Sequence, residues 1–397
     1  MMKRQVRCQS CGSEGVQPFY HVKDVPVHSC LLLTSENDAL NFPRRDIELG
    51  FCPSCGFIGN TIFDPYMMRY APGYEEQQSF SPHFNKFARD LATRLVERHD
   101  LRNKTVVEIG CGKGDFLALL CEIGGNRGVG IDPTYVPGRL AGPAAERVSF
   151  IRDFYTERYA YLRGDLVCCR HTLEHIPTPH EFLQVVERSV ADQPQTWIFF
   201  EVPDVIRVLR EKAFWDIYYE HCSYFSLGSL ARLFRSCSFK VVDLASDYDG
   251  QYLLIEAQPS NGTGATQAPH RLEDDLAQLA KDVADFAANY PITIEAWRNR
   301  IRTAVETGRR VAIWGSGSKC VSFLSSLNLS DEISCVVVDI NPYRQGKYLP
   351  ASGKRIMPPD FLKEYGPDTV IAMNSIYCRE IGQQLNSMGL SPEVLAV

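Results

Sequence analysis

The chain has 397 residues, of which 45% are apolar, and this is enough for about two to three domains with real cores. The composition excludes a disordered or a fibrous protein. Because 42 Lys and Arg residues stand against 48 Asp and Glu residues, the formal net charge of −6 provides no overall basic field for a nucleic-acid backbone. No run approaches about 20 consecutive apolar residues, and no apolar stretch follows the basic residues near Met1. We therefore expect a soluble, cytoplasmic protein that binds neither membranes nor nucleic acid.

The first segment, residues 1–75, is rich in turn formers and short apolar runs, which is typical of a small domain held together by a metal. Four of the fourteen cysteines form two Cys-x-x-Cys pairs, each followed by glycine: Cys8, Cys11, Cys52 and Cys55. Four thiolates suit tetrahedral zinc and leave no open position for catalysis, so we predict a structural zinc site. The alternative is four ordinary thiols. Redox use is disfavoured because neither pair lies at a strand-to-helix junction, and the isolated Cys30 is expected to be buried.

The middle segment, residues 76–258, alternates strand-like runs with helical patterns. A helix is predicted over 83–100, where Phe84, Phe87, Leu91 and Leu95 form one apolar stripe. The alternation that follows predicts a mainly parallel sheet covered by helices. Two strand-like runs joined by Asp-Gly, within 239–258, predict an antiparallel hairpin that closes this sheet and distinguishes it from an ordinary dinucleotide-binding fold.

A second α/β unit is predicted at the C-terminal end, over residues 269–397. It follows residues 258–268, which are polar, contain Gly, Thr and Pro, and read as a linker. A helical stretch over 271–290 precedes an alternation of strand, helix and strand.

A glycine-rich turn follows the first apolar strand of the middle segment. Glycines there let a ligand approach the backbone, and the following helix offers amide donors. An acid at the end of the next strand suits ribose hydroxyls, and an acid followed by an aromatic residue suits adenine. With the closing hairpin, these residues match the S-adenosylmethionine pattern of class I methyltransferases: Glu108, Gly110, Gly112, Gly114, Asp132, Asp153 and Phe154. A nicotinamide enzyme and an inactive fold are the alternatives.

Ionisable residues follow two later strands of the same sheet. His175 comes after one strand, and Tyr218, Glu220 and His221 come after another. Ligands of open α/β sheets bind beyond the carboxyl ends of the strands, so we expect these groups to converge on the donor site. A histidine can remove a proton at neutral pH, and a nearby carboxylate or phenol can orient it. The alternative is that each is an ordinary loop residue.

The order of these motifs resembles the three-domain sugar C-methyltransferases, which act on nucleotide-linked keto-deoxysugars. The C-terminal sequences W-G-S-G-x-K and V-V-D-I-N-P-x-x-Q-G-K-Y-L-P are the most specific part of the likeness. The resemblance implies that a carbon next to a ketone loses a proton before it attacks the methyl group of the donor. It implies that His221 and Tyr218 act as base or orienting group beside Glu220. It also implies roles for His175 and for a tyrosine matched best by Tyr74, with Tyr70 nearby.

The C-terminal turn, residues 315–319, has two interpretations. Gly315, Gly317 and Lys319 contact the diphosphate of a nucleotide sugar, or they are a remnant of a Rossmann-like unit. The chain departs from the family at Cys320, where glycine is usual, and at Ala351, where the family usually has Pro-Gly; this bears on the identity of the sugar.

Other functions remain open from the residues alone. They are a methyltransferase acting on RNA, protein or another small metabolite, a donor-binding protein without activity, and a dehydrogenase that uses the C-terminal unit. The predicted cofactors are S-adenosylmethionine and zinc, and the predicted partner is a nucleotide sugar, with the oligomeric state unknown.

Overall fold

The structure is a computed structural model that describes residues 6–68, 70, 73–140, 142–260, 268–329 and 335–397. The first part of the chain forms an antiparallel sheet with one short helix: β1 (Gln17–Pro26), α1 (Glu36–Leu40), β2 (Arg44–Phe51) and β3 (Ile58–Asn60). β2 lies between β1 and β3. One Cys-x-x-Cys pair precedes β1 and the other directly follows β2, so the pairing of these antiparallel strands brings the two pairs together.

The helix predicted over 83–100 is confirmed as α2 (Pro82–Arg98). It begins where the side chain of Ser81 accepts a hydrogen bond from the backbone N–H of Phe84, which satisfies one of the free donors at the helix start. Leu91 and Leu95 are buried on its inner face, in the same cluster as Val106 of the neighbouring sheet. The apolar stripe in the sequence therefore marks the face that packs on the sheet.

The middle part contains the predicted sheet. Its elements are β4 (Thr105–Ile109), α3 (Asp115–Gly124), β5 (Arg127–Ile131), β6 (Val148–Ile151), β7 (Leu166–Arg170), α4 (Pro179–Val190), β8 (Trp197–Pro203), α5 (Val205–Glu211), β9 (Ser223–Tyr224), α6 (Leu227–Ser236), β10 (Phe239–Asp247) and β11 (Tyr252–Pro259). The seven-stranded sheet has the order β10-β11-β8-β7-β4-β5-β6. β10 and β11 are antiparallel and the other five strands are parallel, so the parallel sheet with its closing hairpin is confirmed.

One strand of the middle part joins the first sheet instead. β9 pairs with β3, with Tyr224 opposite Ile58 and Ser223 opposite Gly59. The segment that carries Tyr218 and His221 therefore runs from the middle sheet to the first sheet, and its position is fixed at the junction of the two.

The C-terminal part is a second α/β unit, as predicted. Its elements are α7 (Leu276–Glu306), β12 (Val311–Trp314), α8 (Ser318–Leu327), β13 (Cys335–Val338), β14 (Ile356–Met357), α9 (Leu362–Tyr365), β15 (Thr369–Ala372), α10 (Cys378–Ser387) and β16 (Glu393–Ala396). The sheet has the order β14-β13-β12-β15-β16, and all its pairings are parallel.

Two boundaries differ from the prediction. β11 continues to Pro259, and residues 261–267 of the predicted linker lie outside the described residues. The helix predicted to end at residue 290 continues through Pro291 to Glu306. Phe286 and Ile301, on either side of this proline, are buried in one hydrophobic cluster, so tertiary packing outweighs the local cost of the proline.

The three parts pack against one another around this cluster. It contains Tyr20 of β1, Phe214 of the segment after α5, Phe286 of α7 and Phe323 of α8, all buried. Since the carboxyl ends of parallel strands form the ligand edge of an α/β sheet, this packing sets the ligand edges of the second and third parts beside residues of the first.

Candidate active site

The donor turn, residues 110–114, joins β4 to α3. Gly110 has φ +70°, and a Cβ there would lie 1.8 Å from the hydroxyl oxygen of Thr172, so only glycine fits. Asp132, directly after β5, accepts hydrogen bonds from the backbone N–H of Gly112 at 2.8 Å and from that of Thr134 at 2.6 Å. The turn is thus locked against the next strand, with the start of α3 directly beyond it.

The other predicted donor-binding residues surround this turn. Glu108 is buried, burial raises its pKa to about 8, and its Oε2 has no hydrogen-bond partner among the described residues. Asp153 accepts a hydrogen bond from the hydroxyl of Tyr159 at 2.5 Å, which lowers the pKa of Asp153. The neighbouring ring of Phe154 is 54% exposed. An unpartnered acidic oxygen, a glycine turn and an exposed ring fit the polar and aromatic groups of S-adenosylmethionine.

A cavity of about 730 Å³ is lined by residues from all three parts of the chain. The first part contributes Cys30 and Tyr70, and the middle part contributes the donor turn. The C-terminal part contributes Gly315, Gly317 and Lys319 of the C-terminal turn. The residues that the sequence assigned to donor and to nucleotide therefore face one space.

His221 lies in this cavity with an aromatic neighbour on two sides. Its ring centroid is 4.1 Å from that of Tyr218 and 4.7 Å from that of His175. Burial, together with the charges of His175 and His171, lowers the pKa of His221 well below the usual value, so the ring is neutral at pH 7. Burial raises the pKa of Tyr218 well above 10, so its phenol stays protonated. The pair therefore offers one proton acceptor and one hydrogen-bond donor.

His175 contacts Tyr70, and Tyr74 packs beside Tyr70. The Tyr70 hydroxyl lies 2.8 Å from Nδ1 of His175, whereas the Tyr74 ring packs at 5.4 Å from the Tyr70 ring and 6.0 Å from the His28 ring. Both tyrosines line the cavity. Because Tyr70 and Tyr74 lie close together in the sequence, either could be matched to the tyrosine that the family resemblance implies.

Glu220 is buried but is not among the residues that line this cavity. Its carboxylate lies 3.1 Å from Nδ1 of His28 and accepts hydrogen bonds from the backbone N–H of Ser29, at 3.1 Å, and from the Ser29 hydroxyl. Although burial opposes it, hydrogen bonding with His28 and Ser29 holds the pKa of Glu220 below its usual value. Glu220 thus fixes the segment that carries Tyr218 and His221 to the first part of the chain, and no motif in the sequence pointed to His28 or Ser29.

Lys319, in the C-terminal turn, has acidic and polar partners. Its Nζ lies 3.1 Å from Oδ2 of Asp216 and 3.3 Å from Oε1 of Gln251, and burial lowers its pKa. A second cation of the cavity wall, Arg344, was not predicted. Arg344 donates to the carbonyl oxygen of Ser316 at 3.0 Å, and no described carboxylate lies within 4 Å of its guanidinium. The C-terminal part thus presents two cations to the cavity.

The four predicted cysteine ligands lie together at one end of the first sheet. Sγ of Cys8 is 3.6 Å from that of Cys55, and Sγ of Cys11 is 3.7 Å from that of Cys52. All four sulfur atoms lie within 4.8 Å of one another. Zinc with four sulfur ligands at about 2.3 Å places those sulfurs about 3.8 Å apart, so the cluster fits a tetrahedral zinc ion. Hydrogen bonding with Cys55 lowers the pKa of Cys8 to about 5, which favours a thiolate ligand.

Comparison with known proteins defines the class of the chain. Residues 79–244 match a family model described as a methyltransferase domain, and residues 267–391 match one described as a C-methyltransferase C-terminal domain. The fold, the donor turn and these matches define an S-adenosylmethionine-dependent C-methyltransferase.

The similarity to one curated relative covers almost the whole chain. The chain is 28% identical to C-methyltransferase NovU of Streptomyces niveus, over 94% of the chain and 90% of the relative, and is its homologue. A ubiquinone biosynthesis O-methyltransferase of Hydrogenovibrio crunogenus is 30% identical over 27% of the chain and 45% of the relative.

A solved structure, 1,6-didemethyltoxoflavin-N1-methyltransferase of Burkholderia thailandensis, is 20% identical, with a TM-score of 0.35 over 45% of this chain and 80% of that one. In the part of the chain that the structure describes, no helix is long and apolar enough to cross a membrane.

Proposed function

We propose that this C-methyltransferase acts on a nucleotide-linked keto-deoxysugar and methylates a carbon next to the ketone. The observation that carries the proposal is the single cavity of about 730 Å³ that the donor turn, His221 and the C-terminal turn all line. A nucleotide sugar is long enough to contact both the segment that carries Tyr218 and His221 and a separate site for its anionic part. The cations Lys319 and Arg344 support an anionic ligand there, although the whole chain has a net charge of −6.

His221 is the proposed base. Its neutral ring accepts the proton from the carbon next to the ketone, and the phenol of Tyr218 orients the ring or donates to the carbonyl oxygen. His175, held by Tyr70 at 2.8 Å, lines the same space and supports this oxygen. When bound, S-adenosylmethionine supplies an electrophilic methyl group on a sulfonium. A proton transfer to a well-placed base contributes about 10²–10⁴-fold to the rate.

The residues proposed to hold the donor are those around the donor turn. Asp132 receives the ribose hydroxyls, and Asp153 and Phe154 receive the adenine. Gly110, Gly112 and Gly114 let the donor approach the backbone, with Glu108 beneath them.

The test of the acceptor is mass spectrometry of incubations with S-adenosylmethionine and a panel of nucleotide-linked keto-sugars. We expect one sugar to gain about 14 mass units, the mass of one added methylene group. His221→Asn and Tyr218→Phe should lower turnover by about 10²-fold or more, whereas Glu122→Gln, on an exposed face of α3, should not. Methylation of RNA or protein without methylation of any sugar would contradict the proposal.

We also propose that Cys8, Cys11, Cys52 and Cys55 bind one structural zinc ion. The sulfur distances and the absence of any fifth ligand among the described residues of the cluster support this. Metal analysis should give one zinc per chain, and Cys52→Ser should lower both the zinc content and the melting temperature. A stable chain without zinc would contradict it.

The proposed domains are residues 1–75, 76–258 and 269–397.

A further inference from the structure

Glu76 is an acidic residue of the donor region that the sequence motifs do not include. It lies in the segment that precedes α2 and lines the cavity. Its Oε1 is 2.8 Å from the position that a Cβ on Gly112 would take. The carboxylate of Glu76 therefore covers the open face of the donor turn.

Lys113 holds Glu76 at this place. Nζ of Lys113 lies 3.4 Å from Oε2 of Glu76, and it also donates to the backbone oxygens of Tyr74 at 2.8 Å and Thr134 at 3.1 Å. The Lys113 side chain is fully buried, whereas 34% of the Glu76 side chain is exposed. Lys113 thus holds Glu76 in position, and the carboxylate of Glu76 keeps free lone pairs toward the cavity.

Two other acidic groups near the turn, Asp132 and Asp115, are more fully engaged. Asp132 accepts hydrogen bonds from two backbone N–H groups, and Asp115 accepts one from Gln77 at 2.6 Å. The contact of Glu76 with Lys113, at 3.4 Å, is longer than a good hydrogen bond between charged groups. Desolvation raises the pKa of Glu76 to about 7, and a cationic ligand group beside it would favour the charged carboxylate.

We propose that Glu76 binds the α-ammonium group of the methionyl part of S-adenosylmethionine. The donor has two cationic centres, a sulfonium and an ammonium, and only the ammonium can donate hydrogen bonds. Ribose and adenine are assigned to Asp132 and to Asp153 with Phe154, so the methionyl part is left for the face of Gly112, where Glu76 lies. This inference concerns the donor alone and does not depend on the identity of the acceptor.

The test compares two ligands by isothermal titration calorimetry. S-Adenosylhomocysteine carries the ammonium group, whereas 5′-methylthioadenosine keeps the adenosine and the sulfur but has no amino-acid part. Glu76→Gln should weaken binding of S-adenosylhomocysteine about tenfold or more, because a charge-assisted hydrogen bond becomes a neutral one, and should leave binding of 5′-methylthioadenosine unchanged. Glu122→Gln, on an exposed face of α3, is the matched control and should change neither.

Two results would overturn the proposal. One is unchanged binding of S-adenosylhomocysteine by Glu76→Gln. The other is that Glu76→Gln and Glu76→Asp weaken the binding of both ligands equally, which would give Glu76 only a structural role at the turn. Because 5′-methylthioadenosine reports a folded donor site in each variant, loss of the fold is separated from loss of the ammonium contact.

Discussion

The donor turn and the C-terminal turn share one pattern of hydrogen bonds around an aspartate. Asp132 accepts from the backbone N–H of Gly112 with one oxygen and from that of Thr134, two residues ahead, with the other. Asp339 of the C-terminal unit repeats this: one oxygen accepts from the backbone N–H of Ser316 at 2.7 Å, and the other accepts from the N–H two residues ahead at 2.8 Å.

The surroundings of the two aspartates differ. Each aspartate also accepts a hydrogen bond of 2.6 Å from a hydroxyl, that of Thr134 at Asp132 and that of Ser316 at Asp339, but at the C-terminal turn Arg344 in addition binds the carbonyl oxygen of Ser316. At the donor turn a glycine stands at the corresponding position, and Glu108 beneath it has an unpartnered oxygen. The middle unit therefore places an acidic residue beside its turn, whereas the C-terminal unit places a guanidinium there, which suits an anionic ligand.

The largest difference between the turns should appear when an alanine replaces a glycine. In Gly110→Ala the Cβ meets Thr172 and the backbone is strained, so we expect the free energy of unfolding to fall by about 3 kcal/mol and donor binding to be lost. Gly317 has open space around it and an extended backbone, so Gly317→Ala should change stability by less than about 0.5 kcal/mol. Chemical denaturation and calorimetry with S-adenosylhomocysteine measure both effects, and equal losses would contradict the comparison.

A smaller difference should separate the two aspartates. Asp132→Asn should weaken binding of S-adenosylhomocysteine by roughly tenfold to a hundredfold, since it weakens hydrogen bonds to the ribose. Asp339→Asn should leave that dissociation constant unchanged while lowering the melting temperature, because its partners Ser316 and Asn341 both belong to the C-terminal unit. A weaker donor complex in Asp339→Asn would show that the turns are not independent.

Lys319→Met should weaken binding of the acceptor and leave binding of the donor unchanged. Because Lys319 already pairs with Asp216, its contribution to binding an anion should be modest, with KM for the nucleotide sugar raised about tenfold. The dissociation constant of the donor should stay the same. An unchanged KM would leave Lys319 as a structural partner of Asp216.

The smallest effect is expected in the pH profile between neutral and mildly acidic solution. Burial lowers the pKa of His221 well below 6.5, so the base stays neutral, and kcat/KM should not fall through loss of this base until the pH is below that value. An acidic limb above pH 6.5 that disappears in His221→Asn would contradict this assignment.

Sequence patterns predicted the parts whose contacts are local. The donor turn lies between a strand and a helix that adjoin it in the chain. Each cysteine pair is recognised by the Cys-x-x-Cys spacing of its two residues. The mainly parallel sheet followed from the alternation of strands and helices, and its closing hairpin from two strand-like runs joined by Asp-Gly.

The remaining site residues depend on contacts between distant segments. Glu220 meets His28 across 192 residues, and Arg344 meets Cys30 across 314. No periodicity reports such pairs, so the structural role of Glu220 and the cationic role of Arg344 came only from the structure. Tyr70 and Tyr74 belong to one short segment, and spacing alone does not show that Tyr70 is the one whose hydroxyl contacts His175.

The most direct test of the proposed function follows the methyl group itself. The wild-type protein is incubated with S-adenosylmethionine carrying a ¹³C-labelled methyl group and with the keto-sugar nucleotide found in the mass-spectrometry panel, and the product is examined by NMR. We predict that the labelled carbon is bonded to the carbon next to the ketone and that His221→Asn forms this product at about 10²-fold lower rate or less. A label on oxygen or nitrogen, or an undiminished rate in His221→Asn, would contradict the account.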